Sequence, residues 1–127
     1  MKKKNIFFLV MGCSIFTGCI SHHSGHTNIT FTESKHSFSM EADFNESKTR
    51  AVEVYMDDQI GQESNTSFIN TTIDGQVGLD DGTKFYMEKS RGHLEIQMKK
   101  EANSPASYRK IKSMCQGMKD VIQDKAN

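Results

Sequence analysis

The chain has no tryptophan, a single proline, only three cysteines and no excess of either charge, with 16 Lys and Arg against 16 Asp and Glu in 127 residues. Balanced charge excludes a polybasic surface for nucleic acid or anionic lipid as the main feature. Scarce proline, with 35% hydrophobic and 25% charged residues, places the chain among ordinary globular proteins. Its length suits one domain that folds without staples. Long apolar runs are also missing. The longest, residues 6–16, is about eleven residues, whereas a membrane-spanning helix needs ~20 to cross ~30 Å of hydrocarbon. Internal repeats, a Gly-x-Ser-x-Gly elbow and a Gly-rich phosphate loop do not occur, and Gly75-Gln76-Val77-Gly78 reads as strand.

What is present is concentrated at the start. Lys2, Lys3 and Lys4 precede the apolar residues 6–16, which close on Thr17-Gly18-Cys19, the order of an export signal. Phe16-Thr17-Gly18-Cys19 resembles the lipobox of bacterial lipoproteins, although Phe16 stands where an aliphatic residue is usual. The competing Val10-Met11-Gly12-Cys13 would leave an apolar run of only about six residues. The resemblance implies removal of residues 1–18 and acylation of Cys19. Two or three acyl chains, at ~0.8 kcal/mol per buried methylene, make membrane release negligible, so the protein would be anchored and not spanning. Ile20 in place of Asp implies, by the same resemblance, passage to the outer membrane, facing the periplasm.

Loss of the three signal lysines leaves 13 bases against the 16 acids, a net charge of −3. Cys13 would leave with the signal, and with Cys19 acylated Cys115 would be the only free thiol. Asn-x-Ser/Thr triplets at Asn28, Asn45, Asn65 and Asn70 read as strand and turn residues in a bacterial protein.

Residues 19–27 then form the lipidated cysteine and a flexible, Ser- and Gly-containing tether, and residues 28–127 a single α+β domain. Its expected architecture is an antiparallel β meander of about five or six strands packed against one C-terminal amphipathic helix. Period-2 alternation marks Ile29 and Phe31, then Phe38, Met40, Ala42 and Phe44. Val52, Val54 and Met56 continue it, though the same segment also admits a helix. Strand character resumes with Phe68, Ile69 and Ile73, then Val77 and Leu79. Asp81-Gly82 predicts a tight hairpin into Phe85 and Met87, and Ser90-Arg91-Gly92 a second turn into Leu94, Ile96 and Met98. Ser104-Pro105 caps a helix of about 18–20 residues whose stripe is Tyr108, Ile111, Met114, Cys115, Met118, Val121 and Ile122.

Chemistry-bearing residues are few. His22, His23 and His26 could bind zinc, copper or nickel, but no cysteine or carboxylate lies near them in sequence, so no metal site is assigned. Asp57-Asp58 and Asp80-Asp81 fit turns, where aspartate bonds local backbone. Ser107 and Lys110 match Ser-x-x-Lys only as the start of a helix, and Cys115 on the apolar stripe reads as an inert buried thiol. Tyr86, opposite Phe85 and Met87 in the alternation, is a candidate exposed contact. No catalytic residue and no cofactor are expected. The reading that follows is a non-enzymatic, lipid-anchored envelope protein that contacts another envelope protein and not nucleic acid. The alternatives are an inhibitor or defence factor against a wall-degrading enzyme, and periplasmic metal capture by the tether histidines.

Overall fold

A computed structural model describes residues 27–123. The signal, Cys19 and the tether histidines His22, His23 and His26 lie outside the described residues. Five strands, β1 (Asn28–Glu33), β2 (Ser37–Asp43), β3 (Ile73–Gly78), β4 (Lys84–Ser90) and β5 (His93–Lys99), form one antiparallel sheet in the order β1-β2-β5-β4-β3. The β1-β2 hairpin and the β3-β4-β5 meander meet where β2 pairs with β5. Between them run α1 (Thr49–Met56), a π turn over Asp57–Gly61 and α2 (Gln62–Ser64), and α3 (Pro105–Ile122) closes the chain. The expected α+β class and C-terminal helix hold.

Alternation along each strand sends one set of side chains to a shared core. Phe38, Met40 and Ala42 of β2, Phe85 and Met87 of β4, and Leu94, Ile96 and Met98 of β5 are buried against Val52, Met56, Ile60, Ile111, Met114, Cys115, Met118 and Ile122 from the helices. Helix α3 starts where the sequence predicts, with Ser104 Oγ accepting from the Ser107 N–H at 3.0 Å and Pro105 in the first turn.

The expectations are decided in three places between β2 and β4, and two of them fail. Residues 51–56, whose pattern admits both readings, take the helical one, so α1 joins the C-terminal helix against the sheet. Burying Val52, Glu53 and Met56 follows a three-to-four residue period, and Val54, on the strand-face pattern, is 40% exposed. The strand expected from Phe68 begins only at Ile73. Phe68 is instead a buried plug held by its own N–H, which donates to Asp57 Oδ1 at 2.7 Å, and Asn70 has φ +58°. Asp57 and Asp58 accordingly sit in the π turn rather than in a loop, and Asp57 ties that turn to the segment after it.

The Asp81-Gly82 hairpin is present but is not a two-residue loop. Gly82 at φ +93° donates to Leu79 O, Leu79 N donates to Thr83 O, and buried Leu79 belongs to the turn and not to β3. This is the three-residue form with its positive-φ glycine. The Arg91-Gly92 turn is as expected. Gly92 has φ +75°, and a β-carbon there would stand 2.9 Å from Phe44 O, so both backbone conformation and close approach require glycine.

Two buried positions carry opposite charges. Lys89 follows Phe85 and Met87 on the inward face of β4, and its ammonium meets Glu53 Oε2 of α1 at 2.6 Å, with side-chain exposures of 2% and 6%. Lys89 also donates to Thr71 O, and Glu53 Oε1 accepts from Asn70 N at 3.1 Å. Burial alone would raise the Glu53 carboxyl, but Lys89 and the Asn70 N–H outweigh it and hold its pKa below the ordinary value. Lys89→Ala leaves that carboxylate buried without its cation and is expected to cost about 3–5 kcal/mol in urea unfolding. Glu53→Gln combined with Lys89→Met is expected to cost clearly less, and equal costs would show that charge pairing is not what the site contributes.

Helix α1 crosses α3 at Gly117, where a β-carbon would overlap the Tyr55 hydroxyl, which donates to Met114 O at 3.2 Å. Gly117→Ala is therefore expected to destabilise the native chain yet to stabilise a Tyr55→Ala background by about 1 kcal/mol, the helix-propensity gain of alanine. The same sign in both backgrounds would refute close helix approach as the reason for the glycine.

Candidate functional site: the uncovered sheet face

Among the described residues the helices all lie on one side of the sheet, and the other face carries no helix and no buried residue. Strand register arranges them in rows across the strands. The first row pairs Asp43 with His93 and His93 with Ser90. In the second, Glu41 faces Glu95, Glu95 faces Glu88, and Glu88 faces Asp74, so four carboxylates from β2, β5, β4 and β3 stand side by side. The third is polar and uncharged, Ser39, Gln97, Tyr86 and Gln76. Like charges directly opposite in a sheet destabilise it by roughly 0.2–1 kcal/mol per pair.

None of the four carboxylates has a lysine or arginine ion-pair partner among the described residues. On the helix side three acids are ion-paired: Glu33 with Lys100 at 2.8 Å and Lys112 at 3.0 Å, and Asp81 with Lys110 at 2.9 Å, which also holds Glu63. The electrostatics differ accordingly. Hydrogen bonds from Lys100, Tyr108 and Lys112 pull the Glu33 carboxyl down to about 2. Glu41 is pushed up, first by partial burial and then by repulsion from Glu95 and Asp43. Burial pulls His93 down, but the hydrogen bond its Nδ1 gives Asp43 Oδ1 at 2.7 Å and the charges of Asp43, Glu41 and Glu88 outweigh it and raise its pKa.

Donor atoms of Glu41, Asp43 and His93 all lie within 4.8 Å of one another, as do those of Glu88, His93 and Glu95, so either set has the spacing to share one ion. At the other end of the face a hollow of about 440 Å³ is bounded by Ser39, Gln76, Lys84, Tyr86, Gln97 and Lys99.

Tyr86 takes its expected place on this face, half-exposed, with its hydroxyl donating to Asp74, which raises its pKa to about 12. Gly75, Gln76, Val77 and Gly78 are strand, as expected. Ser107 and Lys110 do not form a nucleophile and base. Ser107 Oγ lies 2.6 Å from Thr83 Oγ1 and 3.1 Å from Ser104 Oγ, while Lys110 is neutralised by Glu63 and Asp81. Cys115 is buried on the apolar stripe, as expected, and burial pushes its thiol up to about 12. Glu41, Asp43, Glu88, His93 and Glu95 were not singled out by the sequence. Their one signal is the polar phase of each strand, which register alone turns into rows.

No family model, curated protein or solved structure matches the chain.

The raised His93 pKa carries a sign. The Asp43 contact contributes stability that is fully present below the unfolded histidine pKa of ~6.5. It is lost as pH rises through the higher folded value. NMR titration is expected to place His93 above ~6.5, and Asp43→Asn to bring it down. An unchanged midpoint in the variant would remove Asp43 as the cause.

Proposed function

We propose that the protein is a lipid-anchored bacterial envelope protein that acts as a non-enzymatic binding module, presenting the uncovered sheet face to another envelope protein. The carrying observation is that, among the described residues, five strands share one buried face and leave the other with no buried residue. An exposed sheet face of this breadth is a surface for contact, and Tyr86 sits at its centre with flanking glutamines. Supporting a binding role over catalysis, the hydroxyl and amine of Ser107 and Lys110 are each occupied by other partners, and Cys115 is buried. Anchoring rests on the signal ending at Cys19, which would hold the domain close to the outer membrane on its short tether.

A second reading, an inhibitor or defence factor against a wall-degrading enzyme, is favoured by the carboxylate row, which has no lysine or arginine partner among the described residues and suits a target with a basic active-site rim. Metal capture by His22, His23 and His26 keeps only its sequence basis.

The test joins mass to contact. Intact mass spectrometry of the membrane fraction is expected to give acylated residues 19–127, replaced in Cys19→Ala by an unmodified chain. A photo-crosslinking residue at Gln76 or Gln97 is expected to trap one protein in intact cells, whereas the same probe at Arg109 on α3 traps none. An unacylated native mass would discard the anchor, and crosslinks from Arg109 alone would discard the sheet face as the contact surface.

A further inference from the structure

We infer that the uncovered face docks a basic protein surface, with the Glu41-Glu95-Glu88-Asp74 row as its electrostatic centre. The inference rests on the binding-module reading and specifies the partner's chemistry.

Charge complementarity carries it. The row runs straight across four strands at adjacent-strand spacing of ~4.8 Å, so it presents a line of negative charge ~15 Å long. Asp43 extends it into the neighbouring row, where only His93 offsets it. Lys84 and Lys99 stand at the opposite end of the strands, beyond the uncharged row of Ser39, Gln97, Tyr86 and Gln76. They therefore do not neutralise the acids.

Glu33, Glu63 and Asp81 are each met by a lysine brought from a distant part of the sequence. Among the described residues, the sheet side holds its four carboxylates in mutual register with no lysine or arginine ion-paired to them. A basic partner would supply the cations that the described residues do not place there.

A protein surface fits this face better than a single ion. One cation can be shared by the Glu41, Asp43 and His93 set or by the Glu88, His93 and Glu95 set, but Asp74 at the far end belongs to neither. Several lysines or arginines spaced along a partner surface would meet all four carboxylates together. Four interstrand steps by seven residues give a face of about 19 by 23 Å before side chains extend it. With them it reaches the order of the ~800 Å² that a standard interface takes from each partner. The polar row with Tyr86, and the hollow beyond it, then lie inside the same footprint.

The test uses the full chain in detergent with two unrelated basic probes, lysozyme and cytochrome c, and serum albumin as an acidic control. The row variant combines Glu41→Gln, Glu88→Gln and Glu95→Gln. A control with the same change of net charge combines Asp58→Asn, Glu101→Gln and Asp120→Asn at exposed positions off this face. Both basic probes are expected to bind the native chain at low salt and albumin not to. The row variant is expected to associate about tenfold more slowly or worse, with the loss shrinking as salt rises, while the control triple stays near native. Because the row variant removes like-charge pairs, it is expected to melt no lower than the native chain, so lost binding is not lost folding.

Equal losses in the two triples would reduce the effect to net charge and overturn the inference. So would failure of both basic probes to bind, or tight binding of calcium or zinc to the row in place of them. In each case the cellular crosslink from Gln76 or Gln97 would still stand or fall separately, which keeps the binding-module reading distinguishable.

Discussion

The Glu53-Lys89 ion pair is the constraint on which the middle of this fold depends. It joins α1 to β4 and, through Asn70 N and Thr71 O, also fixes the segment that delivers the chain into β3. That segment has no strand pairing of its own before Ile73, so its backbone groups must find partners elsewhere or be lost to water. Asp57 supplies one partner to Phe68 and Glu53 another to Asn70, two carboxylates from one helical stretch used as backbone acceptors. The crossing from β2 to the far edge of the sheet is thus held by side-chain acceptors rather than by a ladder. A hydrophobic pair in place of Glu53 and Lys89 could fill the space, but it would leave Asn70 N and Thr71 O without these partners.

Placing both helices on one side settles how charge is distributed. On that side lysines reach acids far away in sequence, as Lys112 and Lys100 both reach Glu33, and Tyr108 lies between them with its ring edge-on to Phe38. These pairs are partly exposed and individually weak. Their structural effect is to close the rim of the core around the start of α3, where Ser107 and Thr83 bury a hydrogen bond. The opposite face receives no such closing residues. Its like-charge row is tolerated because the same strands bury Met40, Ala42, Met87, Leu94 and Ile96 on the other side, so the apolar phase of each strand decides its register.

Most of the domain is legible in the sequence wherever a period and its punctuation agree. Phe38 to Phe44 alternates cleanly, and Ser104-Pro105 announces a helix that ends where its stripe ends at Ile122. Residues 51–56 are less readable because Val52, Val54 and Met56 satisfy a period of two while Val52, Met56 and Ile60 satisfy a period of four. What decides between them is Glu53, which helix geometry turns inward to a lysine 36 positions away. Phe68 and Ile69 look like strand residues because they are apolar, yet Asn65 and Asn70 bracket them with positive φ. Those asparagines were legible as turn residues, and they are what bends the segment away from the sheet. Lys89 sits on the apolar phase of β4 and could have been read as an anomaly demanding a buried acid. The carboxylate row is not legible at all. Glu41, Asp74, Glu88 and Glu95 are ordinary outward residues in their own strands, and only the order β2-β5-β4-β3 sets them side by side.

Repulsion within that row links its affinity for protons to its affinity for any other cation. Neighbouring charge and partial burial raise the Glu41 pKa because the ionised form is disfavoured, and the same disfavour makes binding of a lysine or arginine more favourable. Proton and basic partner therefore compete for one source of free energy. Acidification protonates Glu41 before an ordinary glutamate would lose its charge, and it adds positive charge at His93 in the adjoining row, whose pKa is held up by Asp43. Both changes reduce the attraction of the face for a basic surface. A partner that relieves the repulsion on Glu41 therefore gains more where that carboxylate is ionised than where it is protonated.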